Sequence, residues 1–191
     1  MYAPSDDTFL LADCITQYNG KRALEIGVGS GLLLDILEKN FACVAGSDID
    51  IQALHRRKQQ HNNNKRKKKT RAASSSSSSN LLLVCCDAGS AFGIGKFDLI
   101  VSNPPYLPND DNNNNLDLTV NGGPTGIETT IHFINSALPL LAEDGKLLVV
   151  VSSFANSSAL DKLILENNMH KKVIKEKRLF YETLSIVELS L

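Results

Sequence analysis

The chain has 191 residues, 42% of them hydrophobic, and a formal net charge of −1. This length and apolar content suit one core, so we predict a single domain over residues 1–191. The charge gives no global attraction for nucleic acid, no stretch approaches the ~20 apolar residues of a membrane span, and the N-terminus lacks the basic segment of a secretory signal.

Apolar runs of strand length alternate with helix-like segments along the chain. We predict strands at 22–28, 42–49, 81–87, 96–103 and 145–153, and helices at 30–40, 50–60, 129–144 and 158–168. Two late runs, "HKKVIKEKRL" and "ETLSIVELSL", lie close together and indicate an antiparallel pair at one edge. The predicted fold class is α/β: a Rossmann-like, seven-stranded, mostly parallel sheet with an antiparallel edge strand and helices on both faces.

Two stretches have a biased composition that cannot bury a core. We predict low-complexity loops near residues 60–80 and 108–118. The first contains "KRKKKTR" (65–71), which holds six of the 20 basic residues. That run could bind phosphates or act as a nuclear import signal, although a solvated loop is the favoured interpretation.

The four cysteines, Cys14, Cys43, Cys85 and Cys86, each lie in an apolar run, and none forms a CxxC pair. We therefore predict buried free thiols and no metal site. Free thiols favour a reducing compartment. The expected location is cytoplasmic, or also nuclear if the source is eukaryotic.

A glycine-rich turn follows the first predicted strand, in "EIGVGSG", with Glu25, Gly27 and Gly29. Glycines at a strand-to-helix turn let the backbone approach a ligand closely. Position 32 is Leu, so the dinucleotide fingerprint G-x-G-x-x-G/A is incomplete. A tight turn without a ligand would have the same pattern.

Carboxylates follow the next two predicted strands. Asp48 can accept both hydroxyls of a ribose, as in dinucleotide-binding folds. Asp50 competes for that role, and "SDID" could also be a helix N-cap. Asp87 is suited to accept from the exocyclic amine of adenine, although it could simply cap a loop.

The N-terminal segment "YAPSDDTFLLADCI" also has two interpretations. Its Ser and Asp cluster before an apolar run predicts a helix start with Ser5 or Asp6 as the N-cap. Functionally, the Thr8 hydroxyl could contact the amino-acid end of a cofactor.

The fourth predicted strand ends in "SNPPY". The Asn103 side chain offers a carbonyl acceptor, and Pro104 holds the residue before it extended while keeping its own carbonyl. Two rigid acceptors could thus bind both N–H bonds of a substrate –NH₂ group, and the Tyr106 ring could stack on a planar amide or base. Beside a sulfonium cofactor, this arrangement predicts methyl transfer to nitrogen.

Together, "EIGVGSG", "SDID", "CCDA" and "SNPPY" resemble class I S-adenosylmethionine-dependent N-methyltransferases of the NPPY type. That type includes HemK-type protein-glutamine methyltransferases and DNA adenine-N6 methyltransferases. "YAPSDDTFLLADCI" and "NGGPTGIE" (121–128) are similar to segments of the HemK type. Because the chain starts directly with the catalytic domain, it resembles the compact archaeal and eukaryotic release-factor glutamine N5-methyltransferases.

This resemblance implies S-adenosyl-L-methionine as the cofactor and, as substrate, the glutamine side-chain amide of the Gly-Gly-Gln motif in a class I peptide-release factor. It also implies a small zinc-binding activator protein that forms a heterodimer at the third-strand edge, "LLLVCC" (81–86). The implied cofactor-binding residues are Thr8, Glu25, Gly27, Gly29, Asp48, Asp87 and Asn103, and the implied catalytic residues are Asn103, Pro104 and Tyr106.

The segment "NGGPTGIE" leaves one assignment open. Glu128 could take part in catalysis, but "TGIE" also predicts a capping box with Thr125 as N-cap and Glu128 at position N3. The structural role is favoured. Gly122 and Gly123 could give the loop room to close over a substrate.

Other acceptors remain as alternatives. Adenine N6 is also a planar exocyclic amine, but an enzyme acting on duplex DNA must extract its base and usually carries a DNA-reading domain, which 191 residues do not accommodate. Methylation of another protein acceptor such as lysine is a third possibility. A partner role for nucleic acid or a membrane is not expected.

Overall fold

The computed structural model describes residues 4–71, 80–93, 97–108 and 121–191, with only the backbone described for 65–71. The helices are α1 (Asp6–Ile15), α2 (Leu32–Asn40), α3 (Ile51–Arg71), α4 (Glu128–Ala137) and α5 (Ser157–Glu166), with a short 3₁₀ turn at Leu138–Leu140. The strands are β1 (Gly20–Ile26), β2 (Phe41–Asp48), β3 (Asn80–Cys85), β4 (Phe97–Ser102), β5 (Leu141–Ser152), β6 (His170–Arg178) and β7 (Thr183–Ser190).

The seven strands form one sheet in the order β3-β2-β1-β4-β5-β7-β6. The strands β1 to β5 pair in parallel, and β7 pairs antiparallel with both β5 and β6. The predicted fold class is confirmed. The antiparallel strand itself, β7, lies one position inside the edge because β6 covers it.

The core lies on both faces of the sheet because successive strand residues point to opposite sides. In β4, for example, Leu99 packs with α1, α2 and α3 on one face, whereas Ile100 packs with α4 and α5 on the other. Both side chains are buried completely or nearly so. This two-sided burial explains why the central strands are almost continuously apolar.

The predicted helix at 129–144 is wrong at its C-terminal end. The α-helix ends at Ala137, a 3₁₀ turn containing Pro139 follows, and β5 already begins at Leu141. Proline lacks a backbone N–H and clashes with the preceding turn, so it ends a helix.

The predicted loop near 60–80 is also wrong over its first part, because α3 continues to Arg71. Gln, Lys and Arg favour helix when the preceding turns already provide a nucleus. Residues 72–79 lie outside the described residues, as do residues 109–118 of the second predicted loop. The prediction of a single domain over the whole chain stays a prediction.

The cysteines are free, as predicted, but only Cys14 is buried. Cys43 and Cys85 are exposed and Cys86 is half-buried. The apolar runs of β2 and β3 predicted burial, but β3 is an edge strand in which Asn80, Leu82 and Cys85 are exposed. Cys43 lies near the start of β2, where two successive residues are exposed.

None of the helices in the described part of the chain is long and apolar enough to cross a membrane.

Candidate active site

Four strand ends meet at one edge of the sheet, here called the carboxyl edge, because β3, β2, β1 and β4 are parallel neighbours. The glycine turn follows β1, Asp48 ends β2, Asp87 follows β3 and Asn103 follows β4. In open α/β sheets, ligands bind beyond this edge. The structure thus brings the sequence-predicted residues from four strands to one place.

The glycine turn adopts a backbone conformation that residues with a side chain rarely take. The φ angles of Gly27, Gly29 and Gly31 are +81°, +47° and +78°. No atom lies within 4 Å of a Cβ built on Gly29, so the turn is open on that side. A Cβ on Gly31 would lie 2.5 Å from Cδ of Arg57, so the back of the turn is filled.

Asp48 and Asp50 have different roles in the structure. The carboxylate of Asp48 accepts from the backbone N–H of Gly29 at 2.9 Å and from that of Asp50 at 2.8 Å. It therefore fastens the glycine turn to the end of β2. Asp50 accepts from the backbone N–H of Gln52 at 2.8 Å, as an N-cap does, and this hydrogen bond lowers its pKa from the usual value.

Asp87 lies two residues beyond β3 and is exposed. Its Oδ1 is 2.8 Å from Nε2 of His132 on α4, and both side chains are at least half exposed. His132 was not singled out from the sequence, because no local pattern indicates that α4 reaches the end of β3. The pair lies beyond the end of β3, between that strand and α4.

Glu25 is the penultimate residue of β1, just before the glycine turn, and is 2% exposed. Burial raises its pKa well above the usual value, although the nearby Arg57 guanidinium and the backbone N–H of Leu34 oppose that shift. Arg57 is itself buried and binds Asp35 at 2.8 Å and Glu38 at 2.6 Å. Arg57 thus ties α3 to α2 behind the turn, a role that sequence reasoning missed.

The segment after β4 is joined to both the glycine turn and the N-terminal helix. The Ser102 hydroxyl donates to the backbone carbonyl of Ile26 at 2.9 Å, which aligns the ends of β4 and β1. Nδ2 of Asn103 donates to Oγ1 of Thr8 at 3.2 Å. Oδ1 of Asn103 is buried and accepts no hydrogen bond from any described residue. A buried acceptor without a donor is costly, and this oxygen has the chemistry to accept from a ligand N–H.

Asp7 links the same groups and was not assigned a role from the sequence. It is 2% exposed, and its Oδ2 accepts from the Tyr106 hydroxyl at 3.0 Å. Its Oδ1 accepts from the Ser5 hydroxyl at 2.7 Å and from the hydroxyl of Thr8 at 3.2 Å. One buried carboxylate therefore sets the positions of the tyrosine ring and of the threonine that holds Asn103.

The loop "NGGPTGIE" packs against the segment after β4. Gly122 N–H donates to the carbonyl of Leu107 at 2.8 Å, and a Cβ on Gly122 or Gly126 would lie 2.7 Å or less from backbone atoms of Tyr106. The small size of these glycines allows this backbone contact. That Gly122 and Gly123 give the loop room to close over a substrate stays a prediction.

The predicted structural role of Glu128 is confirmed, and its carboxylate accepts from Thr125 N–H as in a capping box, but Thr125 is not the N-cap of α4. α4 begins at Glu128 itself, with Ile127 as the N-cap residue. Its carboxylate accepts from Thr125 N–H at 3.1 Å and Thr125 Oγ1 at 2.8 Å, and from Ile127 N–H at 3.2 Å. Burial opposes the effect, but these hydrogen bonds lower its pKa. The carboxylate therefore shapes the loop.

The polar groups at the carboxyl edge suit an organic cofactor better than a metal ion. The described residues contain no group of three or more His, Cys, Asp or Glu side chains that could hold a metal. They do offer an open glycine turn, carboxylates beyond β2 and β3, and one buried amide oxygen without a donor. These features suit a nucleoside-bearing cofactor and a substrate –NH₂ group.

A family profile and a sequence relative both match methyltransferases. A profile of the family described as Eco57I restriction-modification methylase matches residues 29–180. A Methanocaldococcus jannaschii protein, provisionally named a protein N5-glutamine methyltransferase, is 29% identical over 157 residues, which cover 80% of this chain and 73% of that protein.

Solved structures show the same fold. The Mtq2–Trm112 complex of E. cuniculi, described as responsible for methylating the translation termination factor eRF1, aligns with a TM-score of 0.73 and 23% identity, covering 98% of this chain and 96% of the other. The N-methyltransferase NodS of Bradyrhizobium japonicum, bound to S-adenosyl-L-homocysteine, aligns with a TM-score of 0.58 and 16% identity, covering 96% and 84%.

The family profile spans most of the chain, and the fold matches methyltransferases over nearly its full length. The resemblance seen in the sequence motifs is thereby confirmed. The chain is a methyltransferase that belongs to the family described as Eco57I restriction-modification methylase.

Proposed function

We propose that this methyltransferase transfers a methyl group from S-adenosylmethionine to the side-chain amide nitrogen of a glutamine, in the Gly-Gly-Gln motif of a class I peptide-release factor. One observation carries the proposal. Asn103 presents a buried acceptor oxygen that accepts no hydrogen bond from the residues that the structure describes, while its amide nitrogen donates to Thr8.

The substrate amide needs help because its nitrogen lone pair is delocalised into the carbonyl group. In our proposal, Oδ1 of Asn103 accepts one N–H of the glutamine amide and the carbonyl of Pro104 accepts the other. The Tyr106 ring, held through its hydroxyl by Asp7, stacks on the flat amide. Binding both hydrogens orients the nitrogen. In favourable cases such positioning lowers the activation free energy by ~7–11 kcal/mol.

Asn103, Pro104 and Tyr106 together are called the clamp. The cofactor would occupy the carboxyl edge beside this clamp. Gly27 and Gly29 would contact it through the backbone, Asp48 would accept from the ribose hydroxyls and Asp87 from the adenine amine. Thr8 and Asn103 would border its amino-acid end, and Glu25 would support the turn from beneath. When bound, S-adenosylmethionine supplies an electrophilic methyl group on a sulfonium centre.

Adenine N6 is the second candidate acceptor. It is favoured by the description of the matching family, a restriction-modification methylase. Glutamine is favoured by the name of the curated relative and by the description of the Mtq2–Trm112 complex. The clamp fits either planar –NH₂ group, so the acceptor needs a direct test.

The test supplies radiolabelled S-adenosylmethionine with either a purified release factor or duplex DNA. We expect label on the release factor, located by mass spectrometry on the glutamine of the Gly-Gly-Gln motif. Asn103→Ala should reduce turnover about 100-fold or more, comparable to the loss of one preorganised polar contact to a reacting group.

Asn135→Ala is the matched control, because Asn135 is an exposed amide on α4. It should retain wild-type turnover. Label on DNA and none on the release factor would reject glutamine as the acceptor. Full turnover by Asn103→Ala would reject the clamp.

We also propose that a small zinc-binding activator protein pairs with the β3 edge. β3 is the terminal strand on its side of the sheet, and Leu82 within it is 57% exposed. An apolar, unpaired edge strand readily accepts another chain. Mtq2 itself is described in complex with Trm112.

Leu82→Lys should prevent co-purification with the co-expressed activator, because the charge would be buried at the interface. Val173→Lys is the matched control, since Val173 is 47% exposed on β6 at the opposite edge. Loss of the complex in both variants would argue against a specific β3 contact.

The exposed thiols of Cys43 and Cys85 agree with the reducing cytoplasmic location that we propose.

A further inference from the structure

The hairpin between β6 and β7 carries the two most exposed aromatic side chains of the described residues. Phe180 is 92% exposed and Tyr181 81% exposed, and their rings contact each other edge to face with centroids 4.9 Å apart. Phe154, after β5, is 48% exposed. Large aromatic side chains kept in water do not stabilise the fold, and such clusters mark interaction surfaces.

This hairpin is fixed to the end of β5 by several hydrogen bonds. The buried Ser152 hydroxyl donates to Glu182 at 2.6 Å and accepts from the N–H of Phe154 at 3.1 Å. Ser153 N–H donates to the carbonyl of Thr183 at 2.9 Å, and Thr183 N–H donates to the Ser153 hydroxyl at 2.9 Å. The aromatic side chains therefore stand on a defined support.

The hairpin lies at the carboxyl edge, because β6 runs in the same direction as β5 and ends there. Its support continues to the candidate active site. Asn156 N–H, beyond β5, donates to the carbonyl of Thr125 at 3.3 Å, and the loop containing Thr125 packs on the backbone of Tyr106. With strands ~4.8 Å apart, the hairpin lies about 10–14 Å to the side of β4. It also lies ~14 Å beyond the end of β4, because Thr183 is four residues past Val187, which stands level with Ser102.

We propose that Phe180 and Tyr181, with Phe154, form a docking surface for the body of the protein substrate whose glutamine enters the clamp. This inference rests on the proposed function, because a protein acceptor approaching the carboxyl edge would cover the region beyond β4 and β5. Exposed aromatic residues are the side chains that most often dominate protein interfaces. The surface lies on the opposite side of the clamp from the glycine turn, so it contacts substrate without contacting cofactor.

The experiment compares the full chain with the double variant Phe180→Ala, Tyr181→Ala on two acceptors: the intact release factor and a five-residue peptide centred on the Gly-Gly-Gln glutamine. Such a peptide reaches only ~7–9 Å to either side of its centre. For the intact protein we expect KM to rise about tenfold or more, with kcat changed less than twofold. For the peptide we expect no change in either constant.

Two variants serve as controls. Leu165→Ala removes a side chain that is 77% exposed near the C-terminus of α5, at the end of the sheet opposite the carboxyl edge. It should leave KM and kcat for both acceptors unchanged. Tyr181→Phe keeps the ring and should retain the low KM.

Three outcomes would overturn the docking surface. An unchanged KM for the intact release factor would do so while the proposed function stands. A wild-type dimer that the double variant converts to monomer would assign the surface to self-association. A wild-type chain that methylates neither acceptor would reject the proposed function and this surface with it.

Discussion

The buried carboxylate of Asp7 is the residue on which the geometry of the clamp depends most directly. It accepts from the Tyr106 hydroxyl and the Thr8 hydroxyl, and Thr8 in turn accepts from Asn103. A hydrogen bond to a charged group contributes about 1.5–3 kcal/mol. A change at Asp7 should therefore act on the reaction through its neighbours.

We predict that Asp7→Asn lowers kcat/KM by about 10- to 100-fold, because the variant is uncharged and keeps only one acceptor oxygen, so it loses the bond to Tyr106 or the bond to Thr8. Steady-state kinetics on the release factor measures the effect. The control is Asp6→Asn, since Asp6 is a neighbouring, exposed carboxylate that pairs with Lys177 at 3.0 Å. Equal loss in the two variants would contradict a specific role for Asp7.

Glu25 gives a prediction about pH. Its folded-state pKa is raised by burial from the usual value of 4.5, so the folded protein holds a proton that the unfolded chain releases. Stability from this group is therefore fully present below pH 4.5 and is lost as pH rises toward the folded pKa. Glu25→Gln removes this dependence.

We expect the free energy of unfolding of wild type, relative to Glu25→Gln, to fall as pH rises above 4.5. Urea unfolding at a series of pH values measures it. A difference that stays constant or grows with pH would mean that the carboxylate is charged in the folded state, with Arg57 as its counterion.

At the scale of elements, α3 is longer than is needed to connect β2 to β3. Residues 51–64 already span ~21 Å at 1.5 Å per residue, which matches the ~20 Å length of the six-residue β3 to which the chain returns. Arg57 and His61, which contact Glu38, lie within that part. The remainder of α3 therefore extends beyond the sheet.

We predict that replacing residues 65–79 with a short Gly/Ser linker leaves the melting temperature and the turnover unchanged. Circular dichroism and the methyl-transfer assay measure the two quantities. Replacing residues 57–79 is the control and should unfold the protein, because it removes the buried Arg57. Loss of turnover without loss of stability in the shorter replacement would give the basic run a functional role.

At the scale of the whole molecule, cofactor binding should stabilise the fold. A ligand that binds only the folded state at 100-fold above its Kd adds ~2.7 kcal/mol, which corresponds to about 5–11 °C for a chain of this size. We predict such a thermal shift with S-adenosylmethionine. No shift at saturating concentrations would contradict the proposed cofactor.

The same measurement distinguishes Asp48 from Asp50. We expect the cofactor-induced shift to be much reduced in Asp48→Ala and retained in Asp50→Ala, because Asp50 is occupied in capping α3. Differential scanning fluorimetry with and without cofactor separates this effect from any change in the apo protein. Equal shifts in Asp48→Ala and wild type would remove Asp48 from the cofactor site.

The sequence by itself determined the layers of the fold and the strand ends that carry the site. Both are local properties: apolar runs alternate with helices, and the glycines, carboxylates and Asn103 each stand directly after a strand. Parallel pairing then brings those ends together without further information. Even so, the ends of α3 and α4 were misplaced, because composition predicted a loop where helix propensity prevails and Pro139 ended a helix early.

Only the tertiary structure decided which residues complete and support the site. Asp7 and Tyr106 are 99 positions apart in the chain, and Thr8 and Asn103 are 95 apart. Arg57 reaches the glycine turn from another helix. No local pattern encodes such contacts, because they depend on how α1 and α3 pack over the sheet. The exposure of β3 and of the β6–β7 hairpin was likewise decided by position in the sheet, since an apolar or aromatic residue is buried only where another element covers it.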